Sequence, residues 1–310
     1  MPPRSYDPDS DEPGRQLERR KGGGGGGGGG HGGGHSSGEG SSSSSSKSSG
    51  EGSSSSSSKT KAVSVSGQTS GRSTATAYGS GGGRVIIIPA GQPFAGRQSG
   101  GSTRAQVFGT NVYGSGYPGN TGRGVVDRDF PFVYWPIVWI PGPILWPPYL
   151  EDPEYGKPDN TSRPGGPLAE ATFTASSGNT TLHVISDNST VASLISSLFA
   201  NCSLGASSSK APTPYDGALT DPQPGQAVQY YRASSVVLTL DGYNDTYAYS
   251  AAATNASVPL PRWVNATFLG CVNDTIGEAV PLISGTRPMD RVPAMGVVSL
   301  LWVLWYLLVL

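Results

Sequence analysis

Residues 168–202 read LAEATFTASSGNTTLHVISDNSTVASLISSLFANC, and the apolar period changes partway along them. Ala171, Phe173 and Ala175 alternate with polar residues, and so do Leu182 and Val184. This predicts strands over 171–175 and 181–186, joined by a turn at 177–179. Asp187-Asn188-Ser189 then supplies a helix N-cap. Val191, Leu194, Ile195, Leu198 and Phe199 follow at i, i+3, i+4, i+7 and i+8, one face of an amphipathic helix that ends near Cys202.

A similar pattern recurs downstream. Residues 203–226 form a Ser/Pro-rich loop. Residues 236–240 and 246–250 read as a hairpin about Asp241-Gly242. Pro261 opens a second helix, where proline is tolerated. Its apolar positions are Val264, Phe268, Leu269 and Val272, and it ends near Gly277. A short last strand covers 278–283. The order β-β-α-β-β-α predicts a small α+β domain over residues 167–283.

The residues before this domain look different. Of 46 glycines, 33 lie before Val126. Glycine loses the most backbone entropy on ordering, so composition predicts no packed core there. Residues 1–83 read as a disordered low-complexity arm. They include nine consecutive glycines (22–30) and the tandem repeat SSGEGSSSSSSK at 36–47 and 48–59, a flexible Gly/Ser spacer. Residues 84–129 are Gly- and aromatic-rich and read as mostly irregular, with one short strand at 85–88. Their arginines (Arg97, Arg104, Arg123) alternate with Gly and aromatics, a weak echo of RNA-binding tracts. A net charge of −1 argues against a nucleic-acid partner.

Residues 130–150, FPFVYWPIVWIPGPILWPPYL, carry no charge but six prolines. Each interior proline costs a helix about 3 kcal/mol, so a membrane-spanning helix is not expected here. The segment 130–166 reads instead as an extended aromatic/Pro-rich strap. It lays Phe132, Tyr134, Trp135, Trp139 and Trp146 onto the following domain or onto a partner.

The string RQ-x-GG-x-TR-x-QVFGT-x-x-YGSGYPG (97–119), with FPF-x-YWPIVW and YGKPDNTSRPGGP (155–167), resembles a group of uncharacterised surface proteins of mushroom-type (basidiomycete) fungi. That resemblance implies a fungal surface protein. It carries no activity and no catalytic residues.

Compartment is written in the asparagines. Two of ten, Asn111 and Asn120, precede position 130 and lie outside N-x-[ST] sequons. All eight later ones sit in sequons: Asn160, Asn179, Asn188, Asn201, Asn244, Asn255, Asn265 and Asn273. Ser and Thr are roughly a quarter of residues 160–275, so chance would give roughly two. The pattern predicts passage through the secretory pathway and N-glycosylation. Asn201, with Cys as its middle residue, is a poorer acceptor than most. The two cysteines, Cys202 and Cys271, fit the same compartment and predict one disulfide.

Residues 295–310, MGVVSLLWVLWYLLVL, are apolar apart from Ser299. At 1.5 Å per residue they reach about 24 Å, short of a hydrocarbon core of about 30 Å. Ser284-Gly285-Thr286 followed by the polar spacer 287–294 matches a GPI signal, with Ser284 or Gly285 as the attachment site. A retained single span or tail anchor is the alternative. Residues 1–60 contain no apolar h-region. Lumenal delivery therefore implies a misassigned first exon, or else insertion by the tail; the sequons favour the first.

No catalytic, cofactor or metal constellation appears. His31 and His35 lie in a Gly run that no helix can hold, and His183 falls in a predicted strand as a structural residue. No Ser or Cys nucleophile has a recognisable His partner. The acids of the domain fall mainly in loops and caps. The expected function is a cell-surface, membrane-attached glycoprotein, not an enzyme, with cell-wall glycans or surface proteins as partners. Its alternatives are a surface enzyme acting on wall polysaccharide through a carboxylate pair, and a single-pass membrane protein with a disordered cytosolic tail.

Overall fold

The structure, a computed structural model, describes residues 59–67, 71–141, 146–252 and 256–285. In chain order its strands and helices are β1 (Lys61–Ser64), β2 (Thr74–Ala77), β3 (Ile86–Ile87), β4 (Gln98–Ser99), β5 (Leu168–Thr174), β6 (Thr181–Asp187), α1 (Asn188–Asn201), β7 (Thr213–Pro214), β8 (Ala227–Tyr231), β9 (Val236–Leu240) and α2 (Ala266–Ala279). It is a mixed helix-and-sheet fold with two helices and antiparallel sheets, which agrees with the α+β expectation in its coarse form. The main sheet has the order β7-β5-β6-β9-β8, and β1-β2 and β3-β4 form two small sheets.

Alternation decides the faces of the main sheet. Phe173 pairs with Leu182 and Ala171 with Val184, and these continue across to Leu240 and Leu238. That row faces the helices. Tyr231, next to Val236 in register, reaches Asn273 of α2 with its hydroxyl at 2.7 Å. Helix α1 begins on Asp187, whose carboxylate accepts from the Thr190 amide at 2.9 Å, and buries Val191, Leu194, Ile195 and Leu198. Helix α2 begins on Asn265, whose Oδ1 accepts from the Phe268 amide at 3.0 Å, and buries Phe268, Val272 and Ile276.

The opposite face carries Ile185, Val237 and Tyr230, in one cross-strand row. They are fully buried too, because the strap lies over them. Ile137 donates its amide to Ser234 O at 2.8 Å, Tyr113 stacks on Tyr230, and Trp139 meets Tyr215 edge-on. Phe130, Phe132, Trp135, Trp139 and Trp146 all belong to the same buried cluster as the sheet. The strap therefore packs on its own domain.

Composition placed a core only after residue 167, and here the structure differs. Val107, Tyr113, Tyr117 and Val125 are buried in that same cluster. Glycine is part of the means. Gly114 (φ +88°) turns its backbone directly onto Gly124, where a Cβ would collide with the Gly124 carbonyl. Gly165 (φ +88°) lets the chain touch the Asp187 carboxylate in the same way. Entropy lost by ordering these glycines is offset by aromatic burial that their close approach permits.

Several boundaries move. The hairpin partner of residues 236–240 is 227–231, not 246–250. Its turn is Arg232-Ala233-Ser234, three successive residues at positive φ (51°, 50° and 55°). Asp241-Gly242 lies just past β9, and 246–249 form a single 3₁₀ turn capped by Asp245. Pro261 starts a turn to Val264, and α2 starts five residues later. Residues 278–283 hold no strand of their own. Helix α2 runs through Ala279, after which Leu282 and Ser284 bridge to Thr76 and Gly82.

Candidate functional site

The strongest chemical constellation on the strap-side face lies where the strap leaves the sheet open. Thr172 of β5 and Thr239 of β9 flank His183 of β6 in register. The His183 Nε2 is 3.0 Å from Asp241 Oδ1, and its Nδ1 is 3.2 Å from Thr172 Oγ1 and 4.0 Å from Glu170 Oε2. Burial pushes the Glu170 carboxyl up, and His183 partly opposes that. Asp216 and Asp221 add negative charge nearby. Their own carboxylates converge on the Ala218 amide at 2.9 and 3.0 Å, and burial and the contact with Asp216 raise Asp221. Two carboxylates flank one imidazole. The arrangement is a histidine held by hydrogen bonds to a carboxylate and a threonine on a sheet surface. Only strand register brings these residues together; their separations along the chain carry no signal.

Below the strap runs a groove of about 760 Å³. Its walls are Ile140 of the strap, Pro158, Pro167, Leu168 and Pro214. A second groove shares Ile140 and Lys157 with it and continues along Trp139.

A third feature is a buried charge cluster. The Arg232 guanidinium is fully buried, 2.7 Å from Asp187 Oδ2, 3.0 Å from Thr190 Oγ1 and 2.9 Å from Pro281 O. It stacks on Tyr134 at 3.4 Å. It therefore ties strap, α1 and the segment after α2 to one hairpin turn. Arg163, also buried, donates to Pro136 O at 2.5 Å and stacks on Trp135, and burial lowers its pKa to about 10. Arg104 reaches Gly79 O and Gly277 O and is likewise pushed down to about 10 by burial. Arg97 pairs with Asp127 and Glu154 and stacks on Phe94. The arginines that alternate with glycine along residues 97–123 thus serve backbone carbonyls, carboxylates and rings of this chain.

Cys202 and Cys271 are disulfide-bonded, with Cα atoms 5.9 Å apart. The bond joins the C-cap of α1 to the second turn of α2. Among the described residues there are no free cysteines and no group of three or more His, Cys, Asp or Glu able to hold a metal.

Seven of the eight sequon asparagines are described, and none is buried; Asn255 lies outside the described residues. Asn179, Asn188, Asn201 and Asn244 are exposed, while Asn160, Asn265 and Asn273 are half-buried. Their amides differ in a way that matters for glycan attachment at Nδ2. The side chains of Asn188 and Asn244 make no hydrogen bond within the described residues. Asn179 donates to Trp263 O at 3.0 Å, and Asn265, linked to it through Ser177, donates at 3.4 Å. Asn160 and Asn273 each donate once, to Tyr155 O and Asp274. Asn201 donates twice, to Tyr78 Oη at 3.0 Å and Ser197 O at 2.7 Å. An amide nitrogen has two hydrogens, so in this fold Asn201 has none left for a sugar.

Ser284 bridges to Gly82, and the Gly285 amide donates to Gly81 O at 3.3 Å. Both stand at the last described residues, beside the glycines that follow β2. The arm 1–58, with His31 and His35, and the apolar tail 295–310 lie outside the described residues. Among the described residues no helix is long and apolar enough to cross a membrane. Comparison of the chain with protein-family models, with curated proteins and with solved structures finds no match.

Proposed function

We propose that this chain is a cell-surface glycoprotein of the secretory pathway with a structural or interaction role. A mixed helix-and-sheet unit, with the aromatic strap over one face of its main sheet, follows a Gly/Ser-rich arm. A C-terminal signal attaches it to the membrane through a GPI anchor at Ser284 or Gly285, with cell-wall glycans or surface proteins as partners. One observation carries the reading: every asparagine after residue 130 is in a sequon, and each described one reaches solvent at least in part. The disulfide between α1 and α2 supports it, because such bonds persist in oxidising compartments. The resemblance to fungal surface proteins points the same way.

The test is expression of the full chain, with its natural start, in a secreting fungal host. The expected result is a protein whose mobility shifts on N-glycosidase treatment and which phosphatidylinositol-specific phospholipase C releases from membranes. A protein that carries no N-glycan and stays in the cytosol overturns the reading. A glycosylated protein that resists release and retains residues 295–310 replaces the GPI anchor with a single span.

A further inference from the structure

We propose that the groove beneath the strap is filled by the protein's own glycan, attached at Asn188. This rests on the secretory reading above and adds to it a site, an occupant and a purpose. Asn188 stands in the wall of the groove, as the first residue of α1. Its amide donates to Pro167 O at 2.9 Å, so its backbone is fixed at the apolar wall. Its side chain is exposed and makes no hydrogen bond among the described residues, which leaves Nδ2 available for a sugar. No other described sequon asparagine lines this groove.

The lining suits the base of an N-glycan. N-acetylglucosamine has flat C–H faces and an acetamido methyl, which pack against proline and aliphatic side chains such as Pro158, Pro214 and Ile140. Its hydroxyls and amide need polar partners at the rim, and Lys157, Asp159 and Asp216 stand there. The groove, at about 760 Å³, lies in the range that holds small ligands and has room for a disaccharide. Tethering supplies the affinity. A ligand bonded to the wall of its own site is present at an effective concentration of about millimolar or more, so contacts too weak to capture a free sugar hold an attached one. Covering the groove also removes an apolar patch that an extracellular protein would otherwise expose.

The test compares wild type, Asn188→Gln and Asn244→Gln, each as the full chain from a secreting eukaryotic host. Asn244 is the control because it too is exposed and its side chain makes no hydrogen bond among the described residues. Glycopeptide mass spectrometry reads occupancy, binding of an apolar fluorescent dye reads the groove, and acetylation of Lys157 reads its rim. The expected result is glycan at Asn188 in wild type, with dye binding and Lys157 acetylation rising several-fold in Asn188→Gln and unchanged in Asn244→Gln. Trimming wild type to one sugar per site should leave most of the protection in place, because the first residues make the contacts. Two outcomes overturn the proposal. In one, Asn188 is bare while Asn244 is glycosylated. In the other, Asn188 is occupied but fully glycosylated wild type takes up dye as readily as Asn188→Gln, so that the groove is open for a separate ligand. Absence of glycan at every site overturns the secretory reading with it, a result distinct from both.

Discussion

Residues 59–166 and 168–285 both bury large side chains, by different means. In the second region backbone groups satisfy one another in a five-stranded sheet and two helices. In the first, two small two-stranded sheets and two short 3₁₀ turns are the only regular elements among the described residues. Arginines stand in for ladders there: Arg104, Arg128 and Arg163 each donate to carbonyls that no strand partner serves. Aromatic rings fill the volume, with Phe94, Phe130, Trp135 and Tyr155 in mutual contact. Buried backbone groups need partners wherever they lie, and a chain poor in regular structure can find them in guanidinium groups.

If the two regions are one cooperative structure, the largest loss should come from the residue that joins them. Arg232→Ala strands the buried Asp187 carboxylate and removes the Tyr134 stack. It should cost about 5 kcal/mol, measured by chemical denaturation, the upper range for breaking one side of a buried pair. A loss confined to strap fluorescence, with the helices intact by circular dichroism, would show two separable units.

Next in size is the disulfide, which acts inside the regular region. Replacing Cys202 and Cys271 by serine opens a loop of 69 residues and should cost roughly 4 kcal/mol. The strap should melt in the same transition as the helices.

Trp139→Ala probes the irregular region alone. The ring is almost wholly buried, and truncation should cost about 3 kcal/mol, the lower end for tryptophan because the groove beside Ile140 lets neighbours relax. An effect near zero would mean that the strap only rests on the sheet.

The smallest effect has the opposite sign. Burial raises the folded-state pKa of Glu170 above its unfolded value. Its ionised form therefore costs stability above the folded pKa, and the cost disappears below the unfolded value. Glu170→Gln should be slightly more stable than wild type at neutral pH, and the difference should close as pH falls through the carboxylate range. A less stable variant at neutral pH would mean that attraction to His183 outweighs burial.

Strands 168–174 and 181–187 and helix 188–201 were legible because their signals are local: a period of two, a period of 3.6 and an Asp cap. The turn of the β8–β9 hairpin was not. Asp-Gly is the stronger hairpin signal, yet the chain turns at Arg232-Ala233-Ser234, a left-handed run that no residue preference favours. Long-range contacts hold it, among them the Arg232 amide on Val107 O, the Ile137 amide on Ser234 O and the Gly114 amide on Ser234 Oγ. The sequons could be counted in the sequence, but which amides are already engaged could not. Beyond the cysteine in its sequon, Asn201 is set apart from Asn188 by Tyr78 and the last turn of α1, which take up both hydrogens of its amide.

By itself the sequence determined the alternating helix and strand signals after residue 167, the sequons, the cysteine pair and the apolar tail. Each depends on neighbours within one turn, one strand or one motif. Tertiary structure alone decided that buried residues from Ile88 through Val125 share the core of the sheet, that the strap covers the second face of the sheet, and that Asn188 opens onto a groove. Those outcomes depend on contacts between segments tens of residues apart, where a glycine matters for what it allows to approach and an arginine for the carbonyls it reaches.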